Sequence, residues 1–413
     1  MPRIRSGLLG PGPGTSLIVH GRALPGSDGD DVEHVRGLFA FGCGVSHQVE
    51  TALTGPIAAM DGTGAGEGVN RETVGVSSSL QGEESGRPSP SSKETPVTAT
   101  PIASRTAEAI DTYRTGELTT LGADGTPLTW PTAVWRHPDD TLLITTSLAY
   151  AQKALNVRRD GRVSVLFSDP TGSGRADLPQ VFVSGTATCP EEILTGPGEA
   201  ADYWRRLFER QPHSLGYVRA PGRWLMDWYY MRLSITITPD RVETRIPLTE
   251  QLAAGPVPGQ DPAQGTETGS GPLGADLVAR FPSGVLGVRD ASGAPLLARV
   301  RPRATDAGFV VEADVPEGAV PGKASLLVHR HDEHLNGMHN ALVRGELHMD
   351  GEQWVLVPSK VIEPMGAGNR SSAVRILRDA RRSTNRYLER RGLDRPRIEW
   401  GQFQELFSKS SPA

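Results

Sequence analysis

Between about residues 116 and 190 apolar and polar positions alternate in short runs broken by turn residues, the period-two pattern of half-buried β-strands. LTTLGADGTPLTWPTAVWR reads as a hairpin, with Asp124-Gly125 at the turn and Pro127 opening the return strand. RVSVLFSDP and VFVSGTAT read as two further strands. Between them the period changes: Ala149 to Arg159 carries Ala151, Ala154, Leu155 and Arg158 at helical spacing, with Gly161 as a stop.

The same order of signals returns between residues 284 and 349. GVLGVRDASGAPLLARVRP predicts a hairpin at Ser292-Gly293 followed by Pro295, KASLLVHRHDE a third strand, and ALVRGELH a fourth with Gly345 in the place of Gly185. Short alternating strands joined by tight turns predict a small antiparallel barrel, and two copies predict a pseudo-symmetric pair. One element differs. Where the first copy has the helix, the second has FVVEADVPEGAVPGK, whose prolines and glycines leave no helix.

Composition sets the borders. Residues 1–104 are dominated by Gly, Pro, Ser and Thr and hold too few apolar side chains to offset backbone ordering, which predicts a disordered region; Met60 offers a later start. A linker is expected over 249–274, so the folded segments are 105–248 and 275–365, followed by a helical tail over 366–413. In that tail Ala373, Leu377, Ala380, Thr384, Tyr387 and Leu388 share one face, Gly392 is the expected C-cap, and the opposite face is basic. A packing helix with a solvated basic face accounts for this better than a nucleic-acid helix. The aromatics between Tyr203 and Tyr230 are likewise expected to pack rather than stack on a ligand, with Arg232 nearby.

A net charge of −5 gives no general affinity for nucleic acid, and no apolar run approaches the roughly 20 residues of a membrane helix. Two cysteines, Cys43 and Cys189, give neither a disulfide framework nor a zinc ribbon. A cytoplasmic protein is expected, with a small-molecule substrate and neither nucleic acid nor membrane as partner.

The candidate chemistry lies where a strand ending in Thr145-Thr146-Ser147 runs into a helix carrying Lys153: hydroxyls, helix-start N–H groups and an ammonium suit a phosphate. Around it, Gly125/Pro127, Pro131 to Trp135, Thr146-Ser147, Gln152-Lys153, Asn156-Val157-Arg158-Arg159-Asp160 and Arg162-Val163-Ser164-Val165 resemble the core of the pyridoxamine 5′-phosphate oxidase-like family of flavin-binding split barrels. The resemblance implies an α+β, mainly β chain: two tandem split β-barrels, the second degenerate, with the helical tail and the disordered N-terminal region. It implies a flavin-dependent oxidoreductase holding FMN, with a deazaflavin coenzyme as second choice and haem, or a non-catalytic ligand-binding barrel, behind both. It places Thr132, Ala133 and Val134 against the ring system and Thr145, Thr146, Ser147, Gln152 and Lys153, with Arg232, around the cofactor. It also implies either a homodimer or an intrachain pair of barrels, the second copy supplying one wall. Two departures stand out. The family's serine two residues before the lysine is Ala151, and the Glu-Phe-Trp strand with its downstream Arg-x-His is replaced by RVETRIPL, so pyridoxamine phosphate is not the expected substrate. No catalytic acid, base or nucleophile is nominated, since such cofactors carry the redox chemistry themselves.

HRHDEHLNGMH, residues 329–339, offers His329, His331 and His334 in a spacing seen in zinc hydrolases. The repeat gives another account: VHRHDE aligns with FSDP of the first copy, a strand exit, and His329 and His331 would share a face at the interface between barrels.

Overall fold

The computed structural model describes residues 101–214, 217–218, 223–253, 271–311, 315–335, 338–362 and 370–408. The predicted disordered region before residue 101, and residues 254–270 of the predicted linker, lie outside them.

The first segment forms β1 (Gly116–Leu121), β2 (Pro127–Thr132), β3 (Trp135–Arg136), β4 (Leu142–Ser147), β5 (Arg162–Phe167), β6 (Gln180–Thr188) and β7 (Arg232–Arg245). The second forms β8 (Gly284–Asp290), β9 (Pro295–Val300), β10 (Pro302–Thr305), β11 (Gly308–Val311), β12 (Ala319–Arg330), β13 (His339–Asp350) and β14 (Gln353–Ile362). Each makes a seven-stranded antiparallel sheet, ordered β2-β1-β5-β6-β7-β4-β3 and, read in the same sense, β9-β8-β12-β13-β14-β11-β10. Position for position these are one topology, so the chain is a tandem of two split barrels. The helices are α1 (Ser104–Thr112), α2 (Gln152–Arg159), α3 (Ala201–Arg210), α4 (Asp227–Tyr230), α5 (Leu248–Ala253), α6 (Ala275–Val278), α7 (Arg370–Glu389) and α8 (Trp400–Ser408).

The repeat extends to local geometry. Gly125 and Gly293 turn their hairpins with φ of +77° and +82°, a region open to glycine without strain. Gly185 and Gly345 each sit at a register shift opposite a proline, Pro239 and Pro358, and a Cβ there would lie 2.2 Å from the Thr238 carbonyl oxygen or 2.0 Å from that of Val357. Each barrel thus bends its long strand pair at one matched bulge.

The barrels pack against each other reciprocally. Lys323 Nζ donates to the Asp124 carbonyl at 2.8 Å, and Arg162, the matching residue of the first barrel, donates to the matching Ser292 carbonyl at 2.9 Å. Leu128, Trp130, Leu166 and Phe182 of the first barrel join the apolar core of the second. A separate core fills the first barrel and runs out to the tail: Trp204 stacks on Phe208 and Tyr230, and Phe403 and Phe407 of α8 meet Trp204 and Phe208 edge-on. Most of the aromatic span is therefore core, as expected, while Trp224 stays exposed. Tail arginines serve the same packing, Arg381 and Arg395 both pairing with Asp227 at 3.1 and 2.8 Å.

Two details depart from the sequence reading. The expected linker begins as a helix, α5, because Pro247 opens a run of helix formers and Gln251 is tied to Gln180 Nε2 and the Arg299 carbonyl, each at 2.8 Å. The expected helix after β4 starts later, a 3-10 turn over Leu148–Tyr150 preceding α2. In the second barrel residues 315–318, among those described between β11 and β12, hold no helix, as Pro316 and Gly318 required.

Candidate functional site

The strand end at β4 is held on both sides. β4 pairs with β7 in a register that sets Thr145 opposite Ser234, Thr146 opposite Leu233 and Ser147 opposite Arg232. Alternation along the strand then sends Thr145 and Ser147 to one face and Thr146 to the other. The grip read from the sequence as one cradle is two sets of donors.

On the first face, Arg232 is 1 % exposed, lies 4.2 Å from the Tyr229 ring centroid and 5.1 Å from that of Trp204, and donates to the Tyr229 carbonyl and the Thr145 hydroxyl. Its Nη2 and the hydroxyl of Ser147 are buried without a hydrogen-bond partner among the described residues. Among the described residues the hydrogen-bond partners of Arg232 are the Tyr229 carbonyl and the Thr145 hydroxyl, neither of them a carboxylate. A buried guanidinium without a counter-charge beside an idle hydroxyl is costly unless an anion completes it.

On the second face, Lys153 is 4 % exposed, and its Nζ donates to the Thr146 hydroxyl at 3.3 Å and lies 5.7 Å from the Trp130 ring centroid. The Thr146 hydroxyl in turn donates to the Tyr150 carbonyl at 2.9 Å, so its proton is already committed. Gln152 caps nothing; it donates to the Asn156 side chain at 2.8 Å, and Asn156 donates to Thr120 of β1, pinning α2 to the sheet. Thr132, Ala133 and Val134 form the buried crossing between β2 and β3. The turn at Leu148–Tyr150 lies beneath α7, and Arg158 donates to Tyr387 of that helix at 3.2 Å. Burial and the Asp379 carboxylate together raise the Tyr150 phenol far above its ordinary value.

Phosphate chemistry fits this strand end: Lys153 and Arg232 are buried cations, and Ser147 offers an unengaged hydroxyl. Of the two faces, the one with Arg232 and Ser147 has the unengaged donors that would hold the anionic group of a flavin-type cofactor, with Lys153 on the other.

The histidines are divided. His334 is exposed, with its backbone N–H bonded to Asp332. His329 and His331 do share a side, and it faces the first barrel. His329 Nε2 meets Glu117 Oε1 at 2.9 Å, and Arg299 Nη2 meets the same oxygen at 2.8 Å. Ser168 donates to both Glu117 oxygens and accepts from Arg299. His331 Nε2 lies 3.3 Å from the Thr115 hydroxyl and 3.7 Å from Asp169 Oδ2. Burial lowers the His331 pKa against the pull of Asp169, while burial alone would raise Asp169, whose neighbours His329, Arg299 and His331 bring it down to about 2. No group of three or more metal-ligating side chains among the described residues is arranged to hold an ion. The strand exit thus places His329 and His331 in a polar cluster with Glu117 and Asp169 and leaves His334 exposed outside it.

Sequence reasoning missed Glu117, Ser168, Asp169 and Arg299. The available signal was a lone charge inside each of two buried strands, GELTTL and PLLARV.

The two strand orders define a split-barrel protein whose first barrel buries two cations, Lys153 and Arg232, at one strand end. No protein-family model and no curated protein matches the chain. Solved structures do, and they are pyridoxamine 5′-phosphate oxidase-like split-barrel proteins. A putative pyridoxamine 5′-phosphate oxidase from Listeria innocua is 17 % identical, with 33 % of this chain and 93 % of that one aligned at a TM-score of 0.23. An F420 reductase is 19 % identical over 33 % of this chain and 94 % of that one, at a TM-score of 0.24. General Stress Protein 26 from Bacillus anthracis is 20 % identical over 35 % and 92 %, also at 0.24. At such identity the likeness carries nothing about activity, and the fold rests on the two strand orders.

Proposed function

We propose that the first barrel binds a flavin-type cofactor, FMN or a deazaflavin, and that the protein is an oxidoreductase acting on a small organic molecule. The observation that carries this reading is the buried Arg232 guanidinium, whose Nη2 and the Ser147 hydroxyl on the same face of β4 have no hydrogen-bond partner among the described residues. Bound there, the cofactor would supply hydride transfer. The chain's own part would be to meet the phosphate with Arg232 and Ser147 on one face of β4, with Lys153 adding its charge from the other face beside Thr146, and to set the Thr132–Val134 backbone along the ring. Trp130 belongs to the core shared with the second barrel, so the second barrel supplies the facing wall and keeps water out. A cytoplasmic location accords with the absence, among the described residues, of any helix long and apolar enough to cross a membrane.

The test is direct. Purified protein should be yellow, or should quench FMN or deazaflavin fluorescence on titration, and Lys153→Ala and Arg232→Met should each weaken that binding about tenfold, roughly 1.4 kcal/mol. A non-catalytic protein is the competing reading, favoured by the way α7 lies over Leu148–Tyr150. Colourless protein that quenches neither fluorophore would establish it.

A further inference from the structure

Strand register fixes which positions of the two barrels correspond. Gly185 matches Gly345, Glu117 matches Val285, and hence Leu128 and Trp130 of β2 match Leu296 and Ala298 of β9. In the same way Gln180 and Arg241 on β6 and β7 match Asn340 and Lys360 on β13 and β14. Such a pair has two clefts. In one, the β1–β2 hairpin of the first barrel meets β13, where Arg344 donates to Asp124 and Thr126. In the other, β9 of the second barrel faces β6 and β7 of the first.

That second cleft holds a cavity of about 330 Å³, within the usual range for small-molecule sites. Its walls are unlike the first cleft. Arg241, Glu243 and Arg245 alternate along β7 and so share a face, while Phe182 stands opposite Glu243 on β6. The guanidiniums of Arg245 and Arg241 lie 4.9 and 5.9 Å from the Phe182 ring centroid. Leu296 and Ala298 form an apolar strip across from them, and Gln180 and Gln251 close one end.

Among the described residues the charges along this stretch of β7 do not balance. Arg241 and Arg245 share one carboxylate, Glu243, and Arg245 also donates to the Leu297 carbonyl at 2.7 Å. The Arg299 side chain is turned away into the Glu117 cluster, and Glu317 is exposed at the rim, where water screens it. Two guanidiniums with one carboxylate between them leave a place for a second, and planar forks beside an aromatic ring and an apolar strip favour a flat body behind it.

We propose that this second cleft, distinct from the flavin site, is a binding site for a small planar carboxylate, held by Arg241 and Arg245 against Phe182, Leu296 and Ala298. Titration calorimetry of the full chain with 2-naphthoate, and with 2-naphthamide as its uncharged counterpart, tests it. Naphthoate should bind at least tenfold more tightly than the amide, and Arg241→Gln, at a half-exposed position, should remove that difference while leaving the thermal midpoint in place. Lys153→Ala, at the other cleft, should leave naphthoate binding unchanged. Equal affinities for acid and amide, no binding of the acid, or sensitivity to Lys153→Ala instead of Arg241→Gln would each overturn the site. None of these outcomes depends on whether the first cleft takes a flavin.

Discussion

The first and second barrels share strand order, hairpin glycines and bulge, yet they put different chemistry at matched places. Where the first continues from β4 through a 3-10 turn into α2, bringing Lys153 under Thr146, the second turns through Pro316 and Gly318 with no helix among the described residues. Where the first has Glu117 and Pro131, the second has Val285 and Arg299, and the two odd charges meet across the interface as one ion pair. Ser168 and His329 are likewise a matched pair of strand exits that now meet on the same carboxylate. A duplicated barrel thus keeps what closes its sheet and is free to change what fills its clefts. The interface no longer needs to obey twofold symmetry, because both halves belong to one chain.

The strongest way to break this comparison is at its most asymmetric point. Arg299→Ala leaves Glu117 buried without its guanidinium and should cost about 3–5 kcal/mol of unfolding free energy, measured by denaturant titration. A loss below 1 kcal/mol would mean that the ion pair does not join the barrels. Next come the matched bulges. Gly185→Ala and Gly345→Ala each drive a Cβ into a backbone carbonyl and should each cost about 1–3 kcal/mol. Similar losses sharpen the equivalence of the repeats, and a loss at one position alone would break it. Smaller still is the contrast between two buried serines. Ser164 donates to the Pro295 carbonyl, whereas its counterpart Ser325 has no partner among the described residues. Ser164→Ala should therefore cost about 1 kcal/mol and Ser325→Ala close to nothing, read from paired melting curves.

The smallest effect lies at the hairpin tip of the first barrel. Burial would raise the Asp124 carboxyl, but bonds from the Thr126 side chain and backbone, with the charges of Arg344 and Lys323, hold it at about 2. A carboxyl depressed in the folded state stabilises it above the ordinary value of 3.8, and that contribution is lost as pH falls from there towards 2. Asp124 is nearly half exposed, so Asp124→Asn should flatten the acid limb of the stability curve only slightly. A steep acid limb unchanged by the substitution would assign it to Asp169 instead.

Much of the fold was legible because its determinants are local. Alternation, an Asp-Gly or Ser-Gly turn with Pro two positions on, and a glycine in the fourth strand are short-range features, and seeing them twice predicted the tandem. The helix carrying Lys153 was legible by its period, and its loss from the second copy by Pro316 and Gly318. The candidate site was only half legible. Residue types named Thr145, Thr146, Ser147, Lys153 and Arg232, but strand alternation divides them between two faces, and only the pairing of β4 with β7 shows Ser147 against Arg232. The histidines show the same limit from the other side. Their spacing resembles a ligand set, and what determines their role is Glu117, more than two hundred residues away in sequence.

By itself, then, the sequence determined which segments are strands, that they occur twice, and where the second copy lost its helix, because backbone preference and side-chain period act over a few residues. Only the tertiary structure decided that Glu117 meets Arg299 and His329, that the tail helix α7 covers the turn after β4, and that an arginine-lined cavity opens between the barrels. Those depend on two sheets being brought face to face, and no local rule ranks one long-range pairing of charges above another until burial makes every unpaired charge costly.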